Sequence, residues 1–384
     1  MARPFGVYVH FPWCTHRCPY CDFAVSTGRP PAGGRYARAV LAEMEMRARD
    51  FDGLAPASLY LGGGTPSLWE PEAIAAVVEA VRGLGLPAGA EVTLEANPEQ
   101  VTPERASAWR DAGVSRLSIG VQSFDAAVLR KLGRRHGPEA AERAVRAAAA
   151  VLPNVSVDLI AGGRRSTAET ARADAARAAA LPVAHVSAYA LTLDADVLAE
   201  DVPFARLARA GRLTFPSDDE VLSQGAAVRE VLEGAGFLRY EVSNFARPGF
   251  ASRHNLLYWE SESYLGVGAG AVGCLHGGGG AVRWTNPREP GPWLAAVERG
   301  ALPTAEEERL GAADVRNERV MLGLRTAAGV AVASLGPAQA AEARRLVAAG
   351  LAAIRDGRLA LTPRGLDVHS AVAERLLEDA GPAR

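Results

Sequence analysis

Cys14, Cys18 and Cys21 bring three thiols into eight residues with the spacing C-x3-C-x2-C. Three thiolates in one short loop can grip three corners of an iron–sulfur cubane and leave the fourth iron open to a small molecule. Structural zinc is the competing reading, and it wants a fourth protein ligand to close a tetrahedron. His10, His16 and the remote Cys274 are the side chains that could supply it. Four cysteines in 384 residues, three of them clustered, make a poor disulfide framework and a good metal-ligand cluster in a reducing compartment.

Further unusual groups follow at intervals: Gly62-Gly-Gly-Thr-Pro66, Glu95, Gln122 and Asp158. Their meaning depends on the elements that carry them. The alternating run Val7-Tyr-Val-His-Phe11 reads as a strand ending at Pro12, with a glycine break at Gly33-Gly34 and a helix over 35–49. Short apolar strands and helices then alternate: 58–61 and 72–82, 91–95 and 103–112, 116–120 and 126–132, 155–160 and 168–180, then 185–191. Such repeats without hairpin turns imply an α/β fold with a parallel sheet, open or closed into a full or partial barrel. The cysteine loop, the glycine run, Glu95, Gln122 and Asp158 all fall at or near carboxyl ends of these strands. In a parallel barrel those ends share the face where ligands bind, so the segments converge on one site. Singly, each residue also has an ordinary explanation. The glycines can turn the chain after a strand, and Asp158 and Gln122 can be caps or satisfied polar groups. No Gly-Lys-Ser/Thr follows the glycines, so they are not a nucleotide-phosphate loop.

Beyond 191 the rhythm weakens, and the glycine- and aromatic-rich stretch 240–293 resists assignment to regular elements. From about 305 the pattern is helical, with a hairpin near 351–361 and a last helix over 366–377. That is a small helical, winged-helix-like carboxyl-terminal unit. The divisions expected are 1–240, 241–300 and 301–384. A net charge of −2 supplies no basic field for nucleic acid or anionic lipid. Lys131 is the only lysine, and pairs such as Arg164-Arg165 read as solvated surface. With 48% hydrophobic residues, no membrane-length apolar run and no leader-like start, the expectation is a cytoplasmic globular protein.

The stretch Tyr8-Val-His-Phe-Pro-Trp-Cys14-x3-Cys18-Pro-Tyr-Cys21-Asp-Phe23 resembles the cluster loop of radical S-adenosylmethionine (SAM) proteins. The form is that of the oxygen-independent coproporphyrinogen oxidase group and its heme-chaperone relatives. The resemblance continues in order through Gly62–Ser67, Glu95-Ala-Asn-Pro98, Gly120-Val-Gln-Ser-Phe124, Leu132-Gly-Arg-Arg-His136, Val157-Asp-Leu-Ile160 and Tyr240-Glu-Val-Ser-Asn-Phe245. It implies a partial parallel (β/α) barrel and a [4Fe–4S] cluster on Cys14, Cys18 and Cys21. The open iron would chelate the amino and carboxylate groups of SAM, whose reductive cleavage gives a 5′-deoxyadenosyl radical. By the same resemblance Tyr8, Gly63, Gly64, Thr65, Glu95, Gln122, Arg134 and Asp158 would line the SAM pocket. Glycines allow close backbone approach, a guanidinium can fork onto a carboxylate, and acidic groups can hold ribose hydroxyls or a cationic end.

Two departures favour the heme-chaperone branch. Porphyrinogen-oxidising relatives carry a further cysteine where Phe23 stands, and an amino-terminal extension where this chain has a few residues. Arg253-His-Asn-Leu-Leu-Tyr-Trp259 fits the H-N-x-x-Y-W signature of the chaperone group. It implies heme binding by His254, with Asn255, Tyr258 and Trp259 nearby. The alternative is a structural motif with His254 hydrogen-bonded and the aromatics in the core. The function implied is binding of heme as cargo and its transfer to client hemoproteins such as respiratory enzymes. The alternative is coproporphyrinogen III dehydrogenase, working by oxidative decarboxylation. Relatives also suggest a homodimer. Gly268-Ala-Gly-Ala-Val-Gly273 matches G-x-G-x-x-G but lacks a βαβ context and reads as a close-packed glycine loop. Val272 stands where relatives often have histidine, and Gly162-Gly-Arg-Arg165 and Asp194-Ala-Asp196 also depart from the group's pattern.

Overall fold

The computed structural model describes residues 2–28, 30, 34–163, 165–191, 202–214 and 216–377, so Arg164 and the Asp194–Asp196 departure lie outside the described residues. Six strands form the frame: β1 Pro4–Phe11, β2 Ala55–Gly63, β3 Glu91–Ala96, β4 Arg116–Gln122, β5 Asn154–Ala161 and β6 His185–Ala190. They pair in parallel and in chain order, with helices such as Arg35–Ala48, Pro71–Gly83, Pro103–Asp111 and Ala168–Ala180 carrying the chain back between them. Both faces of each strand are therefore covered, and the two faces divide the chemistry. On β4, Leu117, Ile119 and Val121 point outward into the core against the helices, while Arg116, Ser118, Gly120 and Gln122 line the interior. Burying an aliphatic side chain is worth roughly 1.5–3 kcal/mol. The outer layer, with Leu59, Leu94, Val155 and Val157 against Ile74, Val77, Trp109 and Val145, can thus carry stability and leave the inner positions to polar residues.

The stretch that resisted assignment extends this same sheet. Strands β7 Leu238–Arg239 and β8 Asn244–Ala246 continue it beyond β6, while β9 Ser263–Val267 pairs in parallel with β1 on the opposite edge. Strands β10 Val272–Gly277, β11 Gly280–Thr285 and β12 Glu306–Leu310 follow antiparallel. The order runs from β12 at one end to β7 at the other without closing, so the barrel is partial. The Gly268–Gly273 loop is close-packed: a Cβ on Gly268 would stand 2.4 Å from the His10 carbonyl oxygen, and one on Gly273 would stand 2.0 Å from the Trp284 ring.

Ahead of that stretch, three helices among the described residues were not expected. Pro138–Ala149 buries Ala141, Ala144, Val145 and Ala148, a stripe of mostly small side chains that leaves little hydrophobic signature. Pro203–Arg209 is short, and Asp218–Gly234 starts at a Ser217/Glu220 capping box. The carboxyl-terminal helices Ala312–Gly323, Pro337–Ala348, Pro363–Asp367 and His369–Leu377 surround a three-stranded sheet that includes the hairpin Ala352–Arg355 and Arg358–Leu361. They enclose a core of their own, with Leu324, Leu346, Leu359 and Val372. Segment 240–245 is the joint: the Val242 amide donates to the Arg325 carbonyl (3.0 Å), the Ala327 amide to the Tyr240 carbonyl (2.9 Å), and Arg325 pairs with the fully buried Glu241.

Candidate functional site: the cysteine loop and the barrel cavity

The cysteine loop is seated by backbone contacts from β2. The Gly64 amide donates to the Phe11 carbonyl at 2.8 Å and the Thr65 amide to the Trp13 carbonyl at 2.9 Å. Two glycines are required for this approach. A Cβ on Gly63, whose φ is 111°, would stand 2.6 Å from the His10 ring, and one on Gly64 would stand 2.7 Å from the Trp13 carbonyl oxygen. Thr65 Oγ1 donates to Cys14 Sγ (3.4 Å) and Arg134 Nη1 to Cys18 Sγ (3.5 Å). Burial pushes the Cys14 thiol up and the Cys21 thiol up to about 11.

The three thiols open onto a cavity of about 450 Å³ inside the barrel, and Gly63, Gly64, Thr65, Glu95, Gln122, Arg134, Asp158 and Asn255 line it with them. The Tyr8 hydroxyl is turned to His10 Nδ1, 2.9 Å away. Among the described residues no three His, Cys, Asp or Glu side chains converge on a single-ion position. His10 has no lone pair to add, because its Nε2 is held by the Ala24 carbonyl at 2.8 Å and its Nδ1 by Tyr8. A lone zinc ion is thus poorly served, whereas a cubane, with its irons spread over separate corners, needs no such convergence. Arg134 fits an anionic guest. Its Nη2 is held by Asn97 Oδ1 and the Gly120 carbonyl, while its buried Nε has no partner within the chain.

Below the loop two carboxyls, Glu95 and Asp158, stand in the cavity wall. Burial pushes Glu95 up to about 7, against the Tyr60 hydroxyl, which donates to Oε1 at 2.7 Å, and the Gly63 amide, which donates to Oε2 at 3.1 Å. Burial likewise raises Asp158, opposed by Ser187, Arg116 and the Ser118 hydroxyl at 3.2 Å. Such a pair is set to receive a cationic group or hydroxyl donors.

The H-N-x-x-Y-W helix, Arg253–Trp259, lies at the opposite end of the strands from the cysteines. Glu91, the first residue of β3, accepts from the His254 amide at 3.1 Å, and a Cβ on Gly6 of β1 would stand 3.0 Å from the His254 ring. Only Asn255 of this motif reaches the barrel cavity. His254 is 1% exposed, with Nδ1 on Ser58 Oγ (2.8 Å) and Nε2 on the Tyr258 hydroxyl (2.9 Å). As folded here both ring nitrogens are engaged within the chain, so Ser58 or the Tyr258 hydroxyl would have to yield before His254 could meet a heme iron. The Trp259 ring packs under Arg325, 4.4 Å away.

The Radical SAM superfamily model matches residues 8–178 and the HemN C-terminal domain model matches residues 310–368. Heme chaperone HemW of Mycobacterium tuberculosis (strain ATCC 25618 / H37Rv) is 39% identical over 98% of this chain and 95% of its own. The chain belongs to the HemW family of radical SAM proteins. Another member, heme chaperone HemW of Escherichia coli (strain K12), is 36% identical over 75% of each chain. A mouse relative, radical S-adenosyl methionine domain-containing protein 1, mitochondrial, is 39% identical over 85% of this chain and 74% of its own. Coproporphyrinogen III oxidase (HemN) from Escherichia coli shares the fold, with a TM-score of 0.78 at 20% identity over 97% of this chain and 90% of that one. Among the described residues of this HemW-family chain, no helix is long and apolar enough to cross a membrane.

Tyr60, Asn97, Arg116, Ser118, Ser187 and Tyr189 also line the cavity of this family member and went unnoticed in the sequence. The signal was the alternation Arg116, Ser118, Gly120, Gln122: every second residue of a buried strand is polar or glycine, which marks an inward face.

Proposed function

We propose that this HemW-family protein is a heme chaperone that carries a [4Fe–4S] cluster on Cys14, Cys18 and Cys21, binds SAM beside it, and passes heme to client hemoproteins. The observation that carries the cofactor half is the opening of three thiols onto one cavity that Arg134 and two buried carboxyls also line. The cluster, when reduced, supplies one electron to the sulfonium of SAM. The protein's part is to bind and orient: Arg134 faces the methionyl carboxylate, Gly63 and Gly64 let the backbone approach, and Glu95 and Asp158 take hydroxyl donors or the cationic end. Burial holds Glu95 near neutrality, so a cationic guest draws its proton off.

The heme half is supported by relatives named heme chaperones along nearly the full chain and by Phe23. This side chain is 64% exposed at the cavity mouth, where porphyrinogen-oxidising relatives are expected to carry a cysteine. Coproporphyrinogen III dehydrogenase is the second reading. The two separate when the cluster-loaded protein is given SAM, a reductant and coproporphyrinogen III anaerobically, and its heme-loaded form is mixed with an apo-hemoprotein. Heme transfer without decarboxylated porphyrinogen is expected; decarboxylation would make it the dehydrogenase.

A further inference from the structure

Helix Arg253–Trp259 is too short to hold itself, and three strands of the barrel hold it at their amino ends. The carboxylate of Glu91 on β3, 5% exposed, accepts from Ser252 Oγ at 3.3 Å and from the amides of Arg253 and His254 at 3.1 Å each. The Ser252 amide donates to the Tyr240 hydroxyl at 3.2 Å. On β2, Ser58 Oγ meets one ring nitrogen of His254, and the Tyr60 ring lies 5.1 Å from that imidazole. β1 makes room for it with Gly6. The next residue, Asn255, is the one member of this helix in the wall of the barrel cavity. Its backbone amide donates to Ser252 Oγ at 3.4 Å. Among the described residues its carboxamide has no partner in the chain, and neither the oxygen nor the nitrogen is sealed in the core.

A carboxamide offers two N–H donors and an acceptor oxygen, and one held rigidly in a cavity wall is left for the guest to match. The cavity, of about 450 Å³, has the size that encloses one small organic molecule. Its two ends differ in what they can hold. At the thiol end Arg134 fits a carboxylate. Toward the amino ends of the strands Asn255 stands with Tyr60, Arg116 and Ser118. The Arg116 charge is opposed there by Glu95 and Asp158, so Asn255 is left to meet an uncharged polar group. We propose that Asn255 hydrogen-bonds the adenosyl end of SAM, and that Glu91 and His254 are positioning residues that hold it there. The assignment rests on the SAM reading above, in which the methionyl group lies beside the thiols. The adenosyl group then extends away from them, carrying the uncharged hydroxyls and base edge that a carboxamide complements.

The test is an anaerobic calorimetric titration of the full-length, cluster-loaded protein with SAM, and separately with methionine and with 5′-deoxyadenosine. Iron content and unfolding midpoint are measured for each variant. Asn255→Ala is expected to weaken SAM and 5′-deoxyadenosine about tenfold, the worth of one hydrogen bond, and to leave methionine affinity, iron content and midpoint at wild-type values. Asn255→Leu, which fills the same space without the carboxamide, should do the same and covers a failure of Asn255→Ala to load its cluster. Glu91→Gln should weaken SAM and 5′-deoxyadenosine with methionine unchanged, a selectivity that lost stability alone would not give. Wild-type affinity for SAM and 5′-deoxyadenosine in both Asn255 variants would overturn the assignment, as would an equal loss for methionine. A wild-type protein that binds no SAM would overturn the SAM reading itself, a result distinct from these.

Discussion

Arg134 reaches to within 3.5 Å of the sulfur of Cys18 while the carbonyl of Gly120, 2.8 Å away, holds the other end of its guanidinium. A residue between helices Ala126–Lys131 and Pro138–Ala149 is thereby tied both to the cysteine loop and to the barrel wall. Arg134→Lys keeps the charge and loses the fork. SAM affinity is expected to fall about tenfold, or ~1.4 kcal/mol, with cluster content unchanged, as measured by equilibrium binding to the reconstituted protein.

Glu95, raised to about 7 by burial, is partly protonated at neutral pH. Deprotonation favours a cationic guest, so SAM affinity should rise as pH goes from 6 to 8 and be weakest on the acid side, where the carboxyl is neutral. Glu95→Gln should flatten this dependence. A binding series across that range, made on both proteins, checks the sign.

Gly64 has no room for a methyl group, because the nearest atoms are the rigid backbone of Pro12 and Trp13 at 2.7 to 2.9 Å. Gly64→Ala should destabilise the fold by roughly 1–3 kcal/mol and reduce cluster loading. Gly83, at the end of a helix with nothing within 4 Å, is the control, and Gly83→Ala should leave iron content unchanged and raise stability by up to about 1 kcal/mol in denaturant unfolding.

Among the histidines that burial depresses in the folded chain, His10 falls to about 4, His254 to about 3, and His185 well below its ordinary value. Below about pH 6.5 the unfolded chain binds protons that the folded chain refuses. Each of these three histidines therefore lowers stability by up to about 1.4 kcal/mol per pH unit as pH falls below that value, and costs nothing above it. Unfolding midpoints at pH 7 and pH 5.5 should differ sharply, and His254→Gln should narrow the difference.

The upper half of the site was legible because its residues sit at strand ends that a parallel sheet must gather, and a short strand followed by a glycine run or a cysteine loop marks such an end. The lower half was less so. Arg116 and Ser118 were hidden in a strand read only for its apolar positions. The engagement of His254 depends on Ser58, 196 residues away, a partner that no local pattern reveals. Helix Pro138–Ala149 escaped because alanines make a buried stripe that looks neutral, strands β9 to β11 escaped because glycines needed for close packing read as loop, and β12, the charged run Glu306–Leu310, is a strand where a helix was expected because it pairs along β11.

The central claim is most directly tested by anaerobic reconstitution with iron and sulfide, followed by metal analysis and heme titration of the same sample. The account expects a [4Fe–4S] cluster lost in Cys14→Ser, Cys18→Ser or Cys21→Ser, together with one bound heme per chain. A colourless protein that holds zinc on those cysteines and binds no heme would contradict it.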